Sequence, residues 1–386
     1  MVRHIAVNTS VGQYLGLCLR NSGGLPLTLE LRFDEDLRDV GWDWFISPNV
    51  DTILEQNAHR IRVLYLVYPP WSWLENLVPK MFQLSTISIV SPRDPPPQFD
   101  ECLALPKAAN IKQIMLFHPF LLDLRLECNT ASLTFVWLMS CPIDFLVKFL
   151  IHCPNLIDFH CMSHDRPAEV DDPRSMLTSP FVLSQLSAFT WSSGQILHYS
   201  EWYDALSEHI RFPALKEFCW EPGQRIYSDG FAELLPLFKF PQSVTTVQLA
   251  FIGLNSTDAI LDRFSHLTDL TRLQFSMCDA FFVERAFTIL SWGTDENDII
   301  FPKLTNLIID YRVSEAISCM VFHVESGKNL VGMLRRRIGL IDKFTLTVEK
   351  ARMTHHWDDE TWDALRELKR DGLDLTITEN EHPITI

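Results

Sequence analysis

Two stretches of the sequence hold residue types that could bind a metal ion. His355-His356-Trp357-Asp358-Asp359 supplies imidazole and carboxylate groups, and His160 and His164 flank Cys161 and Met162. We expect adjacent histidines on a regular element to point apart. We also expect Cys161 to face the core while His160 faces outward, so neither set converges on one ion. The sequence therefore predicts no metal site and no cofactor.

The end of the first stretch is better explained as the beginning of a helix. Asp358 or Asp359 suits the N-cap position, where a carboxylate accepts hydrogen bonds from the first free backbone N–H groups of a helix. Trp362 and Leu365 would then lie on the buried face of that helix.

The common catalytic motifs are missing from the sequence. Gly327-Lys328 does not form a phosphate-binding loop, because Phe322 stands at the place of the first glycine and Asn329 at that of the Ser or Thr. The patterns G-x-S-x-G, H-E-x-x-H and G-x-G-x-x-G do not occur. We therefore predict a protein that is not an enzyme.

A short phrase recurs along the chain and predicts how the chain folds. Phe212-Pro213-x-Leu215-x-x-Phe218-x-Trp220 returns with apolar residues at matching places from Cys153 and from Phe301, and one residue longer from Phe240. Each proline favours the end of a helix and an extended residue before it. Internal repeats of this kind are typical of solenoids.

The phrase contains the pattern L-x-x-L-x-L, in which L stands for any large apolar residue. Its matches are 22 to 37 residues apart, close to or somewhat beyond the unit length of leucine-rich repeats, and they begin at Ile61, Leu84, Ile111, Leu133, Leu156, Leu186, Leu215, Val244, Leu270, Leu304 and Ile341. Between Ile111 and Leu133 the register stays open, because Leu121-x-x-Leu124-x-Leu126 also fits.

Helical spacing separates the matches. Four sets of apolar residues at i, i+3, i+4 and i+7 are Leu74, Leu77, Val78 and Met81; Ile143, Leu146, Val147 and Leu150; Phe231, Leu234, Leu235 and Phe238; and Val283, Ala286, Phe287 and Leu290. Each unit thus reads as strand, loop and amphipathic helix, and neighbours must stack to bury both apolar faces. The sequence predicts an α/β leucine-rich-repeat-like solenoid, or horseshoe, with a parallel concave sheet and outer helices.

Composition and charge limit the possible partners. With 47% hydrophobic and 11% aromatic residues the chain should be folded, and its net charge of −16 argues against nucleic-acid binding. The one basic run, Arg335 to Arg337, is expected to be solvated near the end of a helix. The most membrane-like stretch, 133–151, contains Pro142, and its Asp144 and Lys148 suit an i, i+4 pair on an exposed helix face. We predict neither a nucleic-acid nor a membrane partner.

The cysteines indicate a compartment. There are nine, an odd number, and they form no C-x-x-C pair. This usage favours buried thiols in a reducing environment, and therefore a cytoplasmic or nuclear protein.

Residues three, five and seven, counted from the first residue of each L-x-x-L-x-L match, would face outward on the concave sheet, where solenoids bind their partners. They are apolar to mixed in the first half of the chain and polar in the second. We predict that a protein partner contacts this face, at Tyr65, Met115, Phe117, His160 and Met162. Alternatively, a long N-terminal segment or the proline-rich stretch 91–97 covers these residues.

A second class of function is a hydrolase-like enzyme on the same scaffold. Asp158, His160 and Glu217 would be its acid-base residues, since all three fall at outward positions of the predicted strands.

Parts of the sequence also resemble a known family. The stretches 15–29 (LGLCLRNSGGLPLTL) and 333–337 (MLRRR), together with the Phe-Pro-x-Leu phrases, resemble fungal F-box proteins with irregular leucine-rich repeats, and 364–377 (ALRELKRDGLDLTI) is similar to their final helix and strand. The resemblance implies a substrate receptor of a Skp/cullin/F-box ubiquitin ligase, in which the F-box binds a Skp-type adaptor and the repeats bind the substrate.

The chain departs from that family at the F-box itself. Only 21 residues precede the Ser22-Gly23-Gly24 turn, so we expect residues 1–25 to be a remnant that follows a missing F-box, and 26–386 to be a single irregular solenoid. Adaptor binding is therefore doubtful, and a scaffold made of repeats alone is the other expectation.

Overall fold

The computed structural model describes residues 3–6, 11–32, 48–69, 71–91, 110–117, 129–163, 167, 172–193, 200–222, 238–252, 257–292, 299–311, 320–321 and 325–386. The chain divides into two compact units, 1–171 and 172–386.

The first unit contains a parallel sheet whose strands follow one another in chain order. Its described strands are β1 (Arg3–Ala6), β2 (Leu27–Arg32), β3 (Ile61–Val67), β4 (Thr86–Val90), β5 (Gln113–Phe117), β6 (Phe135–Met139) and β7 (Asp158–Met162). Each strand pairs in parallel with the next. Parallel neighbours need a connection that crosses back along the sheet, and the predicted strand-loop-helix unit supplies one.

The open register between Ile111 and Leu133 is settled by this pairing. The match at Ile111 gives β5 and the match at Leu133 gives β6. The two strands pair directly, with Met115 opposite Trp137. The competing match at Leu121 lies outside the described residues.

The helices of the first unit follow the apolar spacing in part. They are α1 (Val11–Asn21), α2 (Pro48–Asn57), α3 (Trp71–Asn76) and α4 (Ile143–His152). In α4 all four predicted core residues are fully buried, as expected. The set at Leu74 to Met81 is also buried, but the helix ends at Asn76 and a 3₁₀ turn, Val78–Lys80, follows. Pro79 explains the break, because it has no N–H to continue the helix.

The predicted exposed pair on α4 was wrong for Asp144. This residue is 1% exposed, and one of its carboxylate oxygens accepts a hydrogen bond from the N–H of Phe145 at 3.0 Å. Ile143, Leu146 and Val147 are buried around it, so the first turn of α4 offers no solvated face at this position.

The second unit repeats the same plan and closes with a hairpin. Its main sheet contains, in order, β9 (Ala188–Ser193), β11 (Glu217–Pro222), β12 (Thr246–Ala250), β13 (Arg272–Ser276), β14 (Asn306–Asp310), β16 (Lys343–Glu349), β18 (Asp374–Glu379) and β19 (His382–Pro383). Neighbours from β9 to β18 are parallel, and β19 is antiparallel to β18. Two short parallel pairs that the sequence did not predict join β8 (Phe181–Val182) to β10 (Ile210–Arg211) and β15 (Met320–Val321) to β17 (Ala351–Arg352).

The helices of this unit are α5 (Pro173–Met176), α6 (Ser200–His209), α7 (Thr257–Phe264), α8 (Ala280–Trp292), α9 (Glu325–Arg337) and α10 (Asp359–Arg370). The predicted core set of α8 is buried, and Asp358 N-caps α10 by accepting from the N–H of Thr361 at 2.8 Å, as expected. Leu365 is buried and Trp362 is half-buried. Of the set at Phe231 to Phe238, only Phe238 is described; it is buried and lies in an irregular segment before β12.

The aromatic residues of the Phe-Pro phrases form much of the core of the second unit. Phe212 and Phe240 precede β11 and β12, and both pack on Phe238 with ring centroids 5.6 and 6.0 Å away. Phe240 also contacts Phe218 at 4.5 Å. Each fully buried ring contributes roughly 1.5–3 kcal/mol of transfer free energy, so these neighbours stabilise one another's strands.

A ladder of hydroxyl groups marks the beginnings of the strands. The second residue of an L-x-x-L-x-L match is often Ser or Thr. Its hydroxyl donates to the backbone carbonyl of the second residue of the preceding match. The five bonds are Ser85 to Arg62 (3.0 Å), Thr134 to Lys112 (3.3 Å), Thr245 to Lys216 (3.4 Å), Thr271 to Thr245 (3.2 Å) and Thr305 to Thr271 (3.3 Å). The same carbonyls accept backbone N–H groups, so the ladder reinforces the strand pairing.

The strands end in a shared backbone conformation. The residue directly after seven strands has a positive φ of 52° to 56°, and these residues are Tyr68, Ser140, Ser163, Phe251, Met277, Lys350 and Asn380. The N–H of Ser140, for example, donates to Met162 at 2.8 Å on the next strand. The left-handed residue thus adds one bond to the ladder and then turns the chain away.

The basic run Arg335 to Arg337 is only partly solvated, which corrects our prediction. Arg335 is exposed, but Arg337 is 0% exposed. Its guanidinium donates to the backbone carbonyls of Leu290, Phe301, Met333 and Ile300. Three residues in a row cannot share one helix face, and the third turns into the interior.

Candidate protein-binding face

Alternate residues of β3 to β7 form one face of the first unit. The residues between them, such as Leu64, Ile87 and Ile114, point to the other side of the sheet and are fully buried. The residues of the face itself are mostly half-buried. We call this surface the aromatic face, and it consists of Val63, Tyr65, Val67, Thr86, Ser88, Val90, Gln113, Met115, Phe117, Phe135, Trp137, Met139, Asp158, His160 and Met162.

All five residues predicted to bind a partner lie on the aromatic face. Tyr65, Met115 and His160 belong to one row of register partners, Tyr65–Ser88–Met115–Trp137–His160. Phe117 and Met162 belong to the adjacent row, Val67–Val90–Phe117–Met139–Met162. Each of the five side chains is half-buried, so each keeps some surface for a partner.

The rings on β5, β6 and β7 touch one another. Trp137 lies 5.8 Å from Phe117 and 5.4 Å from His160, measured between ring centroids, and Phe135 lies 5.6 Å from His160. The planes are tilted by 36° to 49°, so the rings form a continuous stepped surface.

Sequence reasoning missed the centre of this cluster. Phe135, Trp137 and Met139 occupy positions three, five and seven of the match at Leu133, the same positions that identified the other contact residues. The sequence does not identify these three residues as long as the register near Leu133 is open. Once β6 is placed, the rule that predicted Met115 and Phe117 also predicts these three.

The aromatic cluster has a carboxylate at its border. Asp158 Oδ1 lies 2.8 Å from Nε2 of His160, and the two side chains are 31% and 28% exposed. Oδ1 itself is buried, and its contact with His160 is a close approach without hydrogen-bond geometry. The other oxygen, Oδ2, is therefore the one that remains open to a partner. His160 contacts both the carboxylate and the indole of Trp137.

The indole N–H of Trp137 is buried and has no hydrogen-bond acceptor among the described residues. A buried donor without an acceptor costs about 1–3 kcal/mol. Trp137 is therefore held by packing and contributes surface at a cost in stability.

The face has few other charges. Among its described neighbours on β2, Arg32 donates to Glu30 at 2.6 Å, so these two charges neutralise each other. The remaining side chains of the rows on β3 to β6 are uncharged.

The three residues of the acid-base alternative belong to different units. Asp158 and His160 form a contact pair, whereas Glu217 belongs to β11 of the second unit, where it is exposed. The register partners of Asp158 and His160 are Phe135 and Trp137, neither of which is a nucleophile.

The corresponding face of the second unit is polar, as the sequence indicates. One row runs Thr190–Cys219–Gln248–Gln274–Ile308–Thr347. Burial, with a smaller effect of Glu221, raises the pKa of the Cys219 thiol to about 12, so Cys219 is not a thiolate at neutral pH. Burial also raises the pKa of Glu221.

The register at the last repeat differs from the spacing of the phrases. Counting from each match pairs Asn306 with Lys343, but Asn306 lies opposite Thr345, and Lys343 lies opposite Asp374. The shift is two residues, so every side chain stays on the face that was predicted for it.

The structure describes the candidate metal ligands except His164. The rings of His355 and His356 pack at 5.2 Å within a 3₁₀ turn, so the prediction that they point apart was wrong, and both remain exposed. Cys161 is buried and His160 faces outward, as expected, while His164 lies outside the described residues. In the described part of the chain no three His, Cys, Asp or Glu side chains are placed to hold a metal ion.

The fold and the face define a mixed α/β protein with a mostly parallel sheet and outer helices. A scan against protein-family models matched no family, and a search of curated proteins found no match. Within the ranges that the structure covers, no helix is long and apolar enough to cross a membrane.

Proposed function

We propose that this protein is a non-catalytic protein-interaction module. Its repeats would stack as an irregular leucine-rich-repeat-like solenoid, or horseshoe, with the aromatic face on the concave side. The observation that carries the proposal is the set of half-buried side chains Trp137, Phe117, Met115 and Tyr65, which lie in two adjacent rows across β3 to β6.

The composition of the aromatic face supports this function. Aromatic and Met side chains are enriched in the cores of protein interfaces, and Trp and Tyr are frequent among residues that dominate binding energy. A face with alternate residues of this kind on adjacent strands offers a row of contacts about 4.8 Å apart. Methionines such as Met115, Met139 and Met162 can adapt their shape to a partner.

The favoured context is recognition of the substrate of a Skp/cullin/F-box ubiquitin ligase. Only the resemblance of the repeats supports it, and a scaffold made of repeats alone is the other form of the proposal. A reducing cytoplasmic or nuclear compartment fits the described cysteines, none of which forms a disulfide: Cys18, Cys141, Cys153, Cys161, Cys219 and Cys278.

The enzyme alternative rests on the 2.8 Å contact between Asp158 and His160. A carboxylate that orients a histidine is one part of a nucleophilic site, but such a site also needs a nucleophile within hydrogen-bond reach of the histidine. On the β6 side of this pair, the neighbouring positions of the face hold Phe135, Trp137 and Met139, none of which is a nucleophile. Partner binding is therefore the better-supported function.

The test uses the double variant Met115→Ser and Phe117→Ser. A photo-crosslinking amino acid is placed at Val90, next to Phe117 in the same row, and the protein crosslinked in cells is identified. We expect the double variant to lose that crosslink while its unfolding temperature stays within a few degrees of the unaltered protein. Phe82→Ser is the matched control, because Phe82 is 58% exposed and lies outside the aromatic face.

Two outcomes would contradict the proposal. An unfolded double variant would show that these side chains belong to the core, and an unchanged crosslink would show that the partner binds elsewhere. The crosslinked complexes are also probed for a Skp-type adaptor and a cullin. Recovery of a partner without either protein would retain the scaffold and exclude the ligase context.

A further inference from the structure

We propose that the aromatic face selects an extended polypeptide segment by a Lys or Arg side chain, whose cation lies against the indole of Trp137 and pairs with Asp158. This inference rests on the proposed function and names the partner's chemistry.

The first support is the ring cluster. A cation is attracted to the face of an aromatic ring within about 6 Å of its centroid, and Trp provides the strongest attraction. Trp137 is flanked by Phe117 at 5.8 Å and by His160 at 5.4 Å. An aliphatic stem of Lys or Arg could lie along these rings while its charged end reaches their border.

The second support is the position of the carboxylate. His160 contacts both the indole of Trp137 and Oδ1 of Asp158, so the carboxylate lies beside the cluster. Oδ1 is buried against His160, and Oδ2 is left to accept from a guanidinium or ammonium group. Charge-assisted hydrogen bonds of this type are roughly twice as strong as neutral ones.

The third support is charge complementarity. In the rows that the structure describes, the basic side chain of Arg32 is already bound to Glu30 at 2.6 Å, so an incoming cation meets no free basic group there. The chain carries a net charge of −16, which favours the approach of a basic partner. An acidic segment would instead meet Asp158 without a compensating cation.

The spacing of the strands sets the length of the motif. Trp137 on β6 and Tyr65 on β3 are three strands apart in one row, which is about 14 Å at the usual strand separation. An extended segment that crosses the strands covers this distance in about four residues. We therefore expect an apolar residue about four positions from the basic one.

The experiment is a selection of phage-displayed random 12-residue peptides on the full chain, followed by affinity measurements with the synthetic peptides. We expect enriched peptides to contain Lys or Arg with an apolar residue about four positions away. Asp158→Asn and Trp137→Ala should each weaken binding at least fivefold, and so should replacement of the peptide's Arg by citrulline. Glu217→Gln is the matched control, because it removes the same charge from an exposed position of the second unit.

The outcomes separate this inference from the proposed function. Peptides that need Met115 and Phe117 but bind equally well after Asp158→Asn or the citrulline change would overturn the cation site and leave the binding face intact. A selection that yields only peptides indifferent to Met115→Ser and Phe117→Ser would overturn both. If Trp137→Ala fails to fold, binding is measured instead with Trp137→Leu and with the citrulline peptides, and unchanged affinity in both would overturn the cation site.

Discussion

The guanidinium of Arg337 donates from Nη1 to the backbone carbonyl of Leu290 at 3.1 Å, and this bond ties α9 to the last turn of α8. The last carbonyls of a helix have no partner within it, and Arg336 satisfies a second one, that of Ser291, at 3.1 Å. Burial, with a smaller effect of Arg336, lowers the pKa of Arg337 to about 10, so it still carries its charge at neutral pH.

Replacing Arg337 with Met should therefore be strongly destabilising. The variant keeps much of the apolar stem but removes the guanidinium donor from the buried carbonyls of Leu290 and Ile300, whereas the carbonyl of Phe301 keeps the N–H of Leu304 at 3.1 Å. We expect the free energy of unfolding to fall by on the order of 3 kcal/mol, measured by denaturant unfolding. Arg335→Met is the control: Arg335 is exposed and its 3.3 Å ion pair with Glu367 should be worth under about 1 kcal/mol. Equal losses in the two variants would contradict the role of Arg337.

A glycine on the same helix should resist replacement. A Cβ at Gly327 would lie 2.8 Å from Thr361 Cγ2 and 2.9 Å from ring atoms of Trp357, so α9 packs closely on α10 at this point. Helix propensity alone favours Gly→Ala by about 1 kcal/mol, but overpacking typically costs about 1–3 kcal/mol. We expect Gly327→Ala to lower the unfolding temperature.

Gly332→Ala provides the matched comparison within α9. Its Cβ would approach Ser291 Cβ at 3.4 Å, an ordinary contact, so the propensity gain should remain and the variant should be as stable as the unaltered protein or more so. A stabilised Gly327→Ala would show that the two helices are not in close contact there.

Glu221 should make stability depend on pH. Since burial raises its pKa, the folded protein holds this proton more tightly than the unfolded chain does. The free energy of unfolding should therefore fall as the pH rises from the ordinary carboxyl value of 4.5 through the raised pKa of the folded state. Glu221→Gln removes this loss and should unfold at a higher temperature than the unaltered protein at pH 7, with little difference below pH 4.5.

The control for this pH series is Glu217→Gln on the same strand, because Glu217 is exposed. Thermal unfolding of the three proteins is followed across the acid to neutral range. A stability gain that is the same at every pH in Glu221→Gln would contradict the titration and point to packing instead.

Ser140 tests the left-handed conformation at the strand ends. Its φ is 55°, a conformation that costs an L residue about 1–2 kcal/mol and glycine almost nothing. We expect Ser140→Gly to be neutral or stabilising and Ser140→Val to lower the free energy of unfolding by at least about 1 kcal/mol. Calorimetry on both variants checks this, and a Val variant as stable as the Gly variant would contradict the conformation.

The strands were the most predictable part of this protein, and particular residues show why. The match at Leu156 placed Phe159 and Cys161 inward and His160 outward, because alternation along a strand depends only on local sequence. The register between Asn306 and Thr345 shifted by two residues, because the offset of paired strands depends on the connection between them. The face of the sheet to which a side chain points is set by local sequence, whereas the offset between two paired strands is not.

The helices and the site were less predictable for the same reason. Asp144 and Arg337 read as surface residues from their charge, yet tertiary packing buries both. The contact between Asp158 and His160 follows from alternation, since both lie on one face of β7. The cluster around Trp137 requires knowing which strands are adjacent, and the sequence left that open at Leu133.

The hairpin that follows β18 has a consequence for solubility. Asn380 and Glu381, with φ of 53° and 66°, turn the chain so that His382 and Pro383 run back along β18. The edge of a long parallel sheet can template the addition of another molecule's strand, and amyloid-like growth begins from such edges. Pro383 has no N–H to offer, and the added strand is only two residues long, so we expect this hairpin to disfavour pairing of β19 with another molecule's strand.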